Sequence, residues 1–374
     1  MKKAVCISCT HHYVQRIRFV EKALTAAGYD VTYITSDFSH NTKQHYRVEL
    51  PHCVQISTLS YRKNISPRRL LSHLRFSRDA IAEVARLQPD LLYVEVPPNS
   101  LCRAAARYKH RHPGVKLIFD IFDLWPESFP DSRAKRLLKL PFALWAAFRN
   151  TGLPKADVVF TECDLFREKL HKYLKDCSGE TLYLCRDTAV SAPKTLPEQN
   201  ALHLCYLGSI NNIIDIPAIT ELIGQIQPMR NVVLHIIGDG EARETLIASV
   251  EKTGAQTVFH GRIYDRREKQ AIFDLCSYGL NIMKPSVCIG LTMKSVDYFA
   301  GALPILNSIG ADTWLLVEQH GLGLNIDRAD PAGTARRIAA ITPEQQQQMA
   351  ASTLETYHRL FTEESFRQKL LPYL

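Results

Sequence analysis

Short apolar, β-rich runs alternate with amphipathic segments along almost the whole chain, and that alternation constrains the fold more than any other feature. The pattern predicts strands at Val5–Ser8, Val31–Thr35, Leu91–Val96, Val115–Ile121, Val158–Thr161 and Leu182–Leu184. Between them it predicts helices at Val14–Ala27, stopped by Gly28, and at Pro67–Leu87, Ser100–His110, Arg133–Asn150 and Asp164–Leu174. Strands separated by helical stretches of about 10–15 residues do not close as hairpins; each helix carries the chain back across the sheet, so the strands run parallel.

The alternation pauses at Asp187–Asn200, where Ser191, Pro193 and Pro197 stand in place of large apolar residues. It then resumes with expected strands at Leu202–Leu207, Val232–Ile237, Thr257–His260, Tyr278–Ile282 and Leu303–Leu306. The expected fold is therefore α/β, with two doubly wound parallel-sheet domains: 1–188, a linker over 189–200, and 201–361. Thr362–Leu374 is an amphipathic helical stretch carrying Phe366, Leu370 and Leu371. Doubly wound sheets bind ligands outside the carboxyl ends of their strands, so a cleft between two of them is the expected site.

Composition narrows the function without choosing it. No apolar run reaches the roughly 18 residues a membrane-spanning helix needs. The opening Met1–Ser8 has too short an apolar stretch for a secretion signal, and His11, His12, Arg16 and Arg18 follow it, so it is expected to be a first buried strand. Of the ten cysteines only Cys6 and Cys9 have C-x-x-C spacing, with no second pair of metal-ligand spacing; reduced thiols are expected. The formal net charge of +8 points to acidic partners. No nucleic-acid module accompanies it, and no nucleic-acid partner is expected.

Three segments of the second half carry chemistry. Val233–Glu241 contains Gly238-Asp239-Gly240, a strand, a glycine turn and an acidic helix start. Val258–Arg262 ends a strand at Gly261, where a ring can approach the backbone, with Arg262 and Ile263 following. The third runs from Gly279 through Gly290-Leu291-Thr292-Met293-Lys294 to Asp297-Tyr298-Phe299-Ala300-Gly301 and Pro304-Ile305. There a loop opens a helix whose first amides have no intrahelical acceptor, which suits a diphosphate. Lys294 in the first turn adds a positive charge, and Asp297, three residues on, lies on the same helix face.

In this order the motifs resemble the donor half of glycosyltransferase family 4, a GT-B family of two Rossmann-like domains facing across a cleft. The resemblance extends to Phe119-Asp120-Ile121-Phe122-Asp123-Leu124-Trp125-Pro126-Glu127-Ser128, which is similar to a segment of members that build bacterial surface polysaccharides. It covers essentially the whole chain. It implies a nucleotide-sugar donor in the C-terminal domain, an acceptor in the N-terminal domain, no metal or other cofactor, and retention of anomeric configuration. It also implies that the last helix crosses back onto the first domain. The chain departs from the family at three places. Ile289 and Asp297 stand where a pair of glutamates is usual, the stretch Leu207–Ile214 lacks the usual arginine and lysine, and Phe122 stands where many relatives have histidine.

On this reading the donor contacts are Gly208, Ser209, Gly238, Asp239, Gly240, Arg262, Ile263, Gly290, Leu291, Thr292, Met293, Lys294 and Asp297. Lys294, with Arg262, neutralises charge growing on the diphosphate leaving group. Asp120, Asp123 and Glu127 are the other catalytic candidates, for orienting acceptor or sugar; Asp123 fits a capping role equally. Arg133–Asn150 joins Trp145 and other apolar residues to basic ones, among them Arg136 and Lys139; with Trp125 these are the candidate acceptor and membrane contacts. Pro141 is expected to kink or split that helix. Such a helix suits an anionic membrane interface, and an ordinary core-packed helix with solvated charges is the alternative. The basic stretch Arg62-Lys63 through Arg68-Arg69, Arg75 and Arg78 can face the same surface. The expected location is cytoplasmic, peripheral on the inner face of the plasma membrane, with a lipid-linked or other glycan acceptor. A GT-B nucleotide-sugar epimerase and a non-catalytic relative remain as alternatives.

Overall fold

A computed structural model describes residues 1–10, 14–129, 137–195 and 200–374. Arg133–Arg136, including the candidate Arg136, and part of the expected linker lie outside the described residues. The chain divides into two compact units, Met1–Tyr183 with Glu363–Leu374, and Leu184–Thr362.

The first unit contains β1 (Lys2–Ser8), α1 (Val14–Ala26), β2 (Tyr29–Ser36), β3 (Cys53–Ile56), α2 (Pro67–Leu87), β4 (Leu91–Val96), α3 (Asn99–Arg111), β5 (Lys116–Ile121), α4 (Lys139–Asn150), β6 (Val158–Thr161) and α5 (Asp164–Leu170). Its six strands lie in the order β3-β2-β1-β4-β5-β6, all parallel. The order reverses direction between β1 and β4, the switch point of a doubly wound sheet. All six residues of β4 are buried, as helices on both faces require.

The second unit contains β7 (Ala201–Leu207), α6 (Ile216–Ile226), β8 (Asn231–Ile237), α7 (Arg243–Glu251), β9 (Gln256–Gly261), α8 (Arg266–Phe273), β10 (Tyr278–Asn281), α9 (Met293–Ala300), β11 (Ile305–Asn307), α10 (Asp312–His320), β12 (Gly323–Asn325), α11 (Pro331–Ala339) and α12 (Pro343–Leu360). Its strands lie in the order β12-β11-β10-β7-β8-β9, again parallel, with the switch between β7 and β10. A core of Leu204, Tyr206, Ile219, Ile223, Leu234 and Leu280, among others, fills one side of this sheet. The last helix, α13 (Glu363–Leu370), belongs to the first unit. There Phe366 packs 5.8 Å from the Phe19 ring and Lys22 pairs with Glu363 at 2.8 Å.

Four local outcomes differ from the sequence pattern or sharpen it. Leu182–Leu184 forms no strand; isolated bridges join Val158 to Ser178 and Thr161 to Thr181, and the backbone carbonyls of Leu182 and Tyr183 accept from Arg16 at 2.8 and 3.2 Å. The short strands β3 and β12 were not anticipated. Both sit at sheet edges, where few apolar neighbours are needed and the sequence signal is weak. In the Arg133–Asn150 stretch a turn at Leu138 separates helical Leu137 from α4, and Pro141 falls in the first turn of α4. That places the break where the proline ring excludes continuous helix, and its missing N–H costs nothing.

Candidate active site

The loops at the carboxyl ends of β7 and β8 are laced together through glycine. Gly208 (φ +118°) and Gly238 (φ +135°) both occupy conformations that side chains disfavour. A Cβ on Gly238 would lie 1.9 Å from the Gly208 carbonyl oxygen, and one on Gly240 would lie 2.2 Å from that of Ile210. Backbone bonds hold the two turns in place: Gly208 N–H to Ile237, Ile210 N–H to Asp239 and Ala242 N–H to Ile210, at 2.9, 3.0 and 3.0 Å. Gly238 N–H reaches the Gly261 carbonyl at 2.7 Å, so the three strand ends share one network. Only glycine allows so close an approach of backbone to backbone.

Beside it a polar ladder holds the start of α9. Asn281, Asn307 and Asn325 end β10, β11 and β12. Asn281 Nδ2 donates to Asn307 Oδ1 at 2.9 Å, Asn307 Nδ2 to Asn325 Oδ1 at 2.8 Å, and Asn325 Nδ2 to the Trp314 carbonyl at 3.0 Å. The Thr292 hydroxyl donates to Asn281 Oδ1 at 3.1 Å while accepting from the Ser295 amide at 3.1 Å, which makes Thr292 the cap of α9. Thr313 fastens the Gly290 carbonyl with its hydroxyl at 2.6 Å and its amide at 2.9 Å. Tyr298 ties the helix to β7: its hydroxyl accepts from Leu207 N–H at 2.8 Å and donates to the Cys205 carbonyl at 3.1 Å. The sequence reading missed the ladder, although the signal was present. Leu280-Asn281, Leu306-Asn307 and Leu324-Asn325 put the same dipeptide at three strand ends.

Lys294 occupies the first turn of this helix and is 8% exposed. Its amino group has no hydrogen-bond partner among the described residues. It lies 4.7 Å from the centroid of the Tyr206 ring, whose negative face offsets part of the desolvation. Burial pushes the amino group down from 10.5 to about 7. Burying an ammonium with no hydrogen-bond partner is costly, and the neutral amine is the form that folding favours.

The other candidates fare unevenly. Gly290, Leu291 and Thr292 are buried at the mouth of α9, with Met293 exposed. Ser209 is exposed, and its carbonyl accepts from Tyr206 Oη at 2.8 Å. Asp239 bonds the Gly240 amide at 2.8 Å and Arg243 at 3.2 Å, and Arg262, largely exposed, stands 3.7 Å from it. Ile263 is half-buried after Gly261. Asp297, expected to offer its oxygens to ribose hydroxyls, is instead a counter-ion. Arg186 grips it at 3.0 and 3.2 Å and Lys269 at 3.3 Å. Burial raises its carboxyl, and Arg186 followed by Lys269 outweighs that, leaving it below the usual carboxylate value.

In the first unit two of the three carboxylates expected to orient substrate are committed to arginines. Asp120 is fully buried, takes Arg16 at 2.7 and 2.8 Å, and accepts from Tyr93 Oη at 2.6 Å. It is a structural ion pair, and the catalytic expectation for it is withdrawn. Glu127 pairs with buried Arg149 at 2.5 and 3.0 Å. Asp123 accepts from the Ser128 hydroxyl at 2.6 Å, closing the loop that follows β5; burial raises its carboxyl. Trp125 and Trp145 are buried, with ring centroids 6.1 Å apart. Lys139 is exposed at the start of α4.

The comparisons follow this geometry. Residues 15–180 match the model of the family described as Glycosyltransferase Family 4. The chain is a glycosyltransferase of the GT-B type. No curated protein matches it. Among solved structures, this glycosyltransferase is similar to sucrose-phosphate synthase from Thermosynechococcus elongatus, at 16% identity over 99% of this chain and 97% of that one, with a TM-score of 0.70. It is also similar to Anabaena Alr3699/HepE in complex with UDP, at 13% identity over 100% and 99%, with a TM-score of 0.69. A third is the apo form of the lipopolysaccharide outer core galactosyltransferase WaaB, at 12% identity over 100% and 99%, with a TM-score of 0.67. At these identities the likeness to the solved structures is one of fold.

Proposed function

We propose that this glycosyltransferase moves a sugar from a nucleotide-diphosphate sugar, bound by the second unit, to a glycan acceptor received by the first. One observation carries the donor assignment: the buried, unpartnered amino group of Lys294 in the first turn of α9. A diphosphate there gains the helix amides and a nearly desolvated ammonium, and charge developing on the leaving group is stabilised by both. The similar Anabaena protein was crystallised with UDP and with UDP-glucose, which makes a nucleotide-sugar the first ligand to try. With Asp120 and Glu127 ion-paired, we assign no protein base. That suits transfer with retention, in which the departing diphosphate itself takes the acceptor proton, and no metal is invoked.

We further propose that the acceptor is lipid-linked and that the first unit rests on an anionic bilayer surface, as in assembly of surface polysaccharide at the inner face of the plasma membrane. Leu137, Leu140 and Leu144 are 84%, 70% and 62% exposed. A groove of about 820 Å³ between α3 and α4 is lined by Arg103, Arg107, Arg111 and Lys155 around Leu144 and Phe148, and no carboxylate among the described residues lines it. Apolar side chains ringed by cations are what an anionic interface attracts. No helix among the described residues is long and apolar enough to cross a membrane.

A thermal-shift screen across nucleotide-sugars, followed by product analysis with the one that stabilises most, tests the donor reading. Transfer that needs an acceptor supports it, and product formed from the donor alone identifies an epimerase. Stabilisation without any product favours the second reading, a non-catalytic binding protein, to which Ile289 and the engaged Asp297 lend weight. Pelleting with anionic vesicles at low salt, lost on replacing Leu140 and Leu144 by aspartate, tests the membrane face. Wild-type protein that stays in the supernatant refutes it.

A further inference from the structure

In the first unit, two cations stand side by side at one aromatic ring. Arg69, in the first turn of α2, lies 5.2 Å from the Trp125 ring centroid and 5.9 Å from that of Tyr61. One of its terminal nitrogens donates to the Asn64 carbonyl at 2.8 Å, and its Nε is buried with no hydrogen-bond partner among the described residues. Lys43 lies 5.0 Å from the other reference point, the same Tyr61 ring, and donates to the His40 carbonyl at 2.5 Å and to Asn64 Oδ1. Among the described residues neither cation makes an ion pair. The neighbouring carboxyl, Asp123, accepts from the Ser128 hydroxyl and feels the charge of Arg69 without forming an ion pair with it.

This arrangement carries a cost that folding alone does not explain. Burial and then the charge of Arg69 both push the Lys43 amino group down. Lys43 holds that position at φ +60°, a backbone region lysine rarely adopts. Close by, His73 is buried and Trp145 packs against it at 6.2 Å; among the described residues neither His73 Nδ1 nor Trp145 Nε1 has a hydrogen-bond partner. Two mutually repelling cations, two aromatic faces and three orphaned buried donor or acceptor atoms are the surroundings of a site built for a ligand that brings negative charge and hydrogen-bond capacity.

We propose that Arg69 and Lys43 form an anion site for the phosphate of a phosphorylated acceptor, with the rings of Tyr61 and Trp125 as its walls. The site rests on the reading that the first unit receives the acceptor, and it narrows that acceptor to one carrying a phosphate. The guanidinium supplies directed N–H donors to phosphate oxygens, and the lysine supplies a second positive charge. Two sources share this chemistry, a polyprenyl phosphate anchored in a bilayer and a soluble sugar phosphate.

Tryptophan emission of the full-length Lys294→Met protein, in which the donor anion site is removed, reports binding because Trp125 lies beneath Arg69. Farnesyl phosphate and glucose 6-phosphate are the two probes, with farnesol and glucose as their uncharged counterparts. At least one phosphorylated probe is expected to bind ten-fold or more tightly than its counterpart, and Arg69→Gln and Lys43→Gln each to weaken it ten-fold or more. Preference for farnesyl phosphate marks a lipid-borne acceptor, and preference for glucose 6-phosphate a soluble one. Thermal unfolding of each variant guards against misfolding; Lys43 lies in a surface loop, so its replacement keeps the test informative where that of Arg69 unfolds the unit. Binding of neither probe, or equal binding by the well-folded variants, overturns the site. In otherwise wild-type protein, nucleotide-sugar stabilisation is measured separately. Its loss with phosphate binding intact refutes the donor reading alone, and the reverse refutes the acceptor site alone.

Discussion

Replacing Lys294 by methionine tests the donor assignment through protons. Burial holds the amino group at about 7 in the free protein, against 10.5 when exposed. At pH 8 about nine-tenths of molecules therefore carry a neutral amine. A diphosphate settling beside it restores the charged form, so binding takes up about 0.9 proton at pH 8, about 0.5 at pH 7 and about 0.1 at pH 6. Affinity is then flat below pH 7 and falls towards about ten-fold per pH unit above it. Calorimetry of one nucleotide-sugar in two buffers of equal pH and different ionisation enthalpy reads the uptake directly, since the esterified diphosphate has no group of its own titrating near neutrality. Lys294→Met is expected to bind at least ten-fold more weakly at pH 7, with no proton uptake. Uptake near zero in the wild-type protein at pH 8, or an unchanged pH slope in the variant, refutes the placement of the diphosphate at Lys294.

The same substitution has an opposite effect on stability. Between about pH 7 and 10.5 the unfolded chain holds a proton at Lys294 that the folded chain has lost, so stability rises with pH across that window. Below pH 7 the full penalty of burying the charge applies, with a ceiling of about 5 kcal/mol. Lys294→Met therefore melts higher than wild type, most at pH 6, with a shrinking advantage above pH 7. A residue that lowers stability while serving a ligand is the ordinary signature of a functional group.

Three further outcomes separate structural residues from functional ones. Asn307→Ala removes the middle rung of the asparagine ladder and leaves buried groups of Asn281 and Asn325 unpaired, a loss on the order of 3 kcal/mol in denaturant unfolding. Nucleotide-sugar affinity should fall with it, because Thr292 hangs from the same ladder; normal stability shows the ladder to be dispensable. Asp120→Asn leaves Arg16 buried against a neutral group, with an expected loss of about 3–5 kcal/mol and unchanged activity per folded molecule. A collapse of turnover at normal melting temperature returns Asp120 to the catalytic list. His235, hydrogen-bonded between His203 at 2.8 Å and His260 at 3.0 Å, is held down at about 4, with burial as the main cause. Its unfolded form charges near 6.5, so stability present at pH 7 is lost as pH falls from there towards 4; His235→Asn should flatten the acid limb of the stability curve, and an unaltered limb refutes the assignment.

The fold was legible because buried parallel strands need unbroken apolar runs, and Leu91–Val96 or Val232–Ile237 leave little choice. The pattern was silent on β3 and β12, edge strands of four and three residues. It was misleading at Leu182–Leu184, where burial comes from packing of an irregular segment and not from a sheet. Near the proposed site, the glycines were legible because close approach of backbone to backbone requires them, and the place of Lys294 in the first turn of a helix was legible from the loop before it; its burial was not. Partners of charged residues were not. Nothing local ties Asp120 to Arg16 or Asp297 to Arg186, which lie 104 and 111 positions apart along the chain. Arg69 was visible only as part of a basic stretch; that it makes no ion pair among the described residues is a property of the fold.

That distinction bears on the missing basic residues of Leu207–Ile214. An arginine that already has a carboxylate must give up that pair before it can serve a ligand, so its net contribution to binding is small. In the second unit Arg243 and Arg262 are drawn to Asp239, Arg266 to Asp187, and Arg186 and Lys269 to Asp297. Among the described residues of that unit, Lys294 is the buried cation without a partner. It gives up nothing when an anion arrives, and in its dry setting each unit of charge acts more strongly than at the surface. On the proposed reading, one such lysine in the first turn of α9 supplies attraction for which other arrangements use two exposed side chains. If the proposed donor site is right, the consequence is dependence on a single proton: donor binding then follows the titration of Lys294, and its pH profile is the most direct measure of how much of the anion is held by that one group.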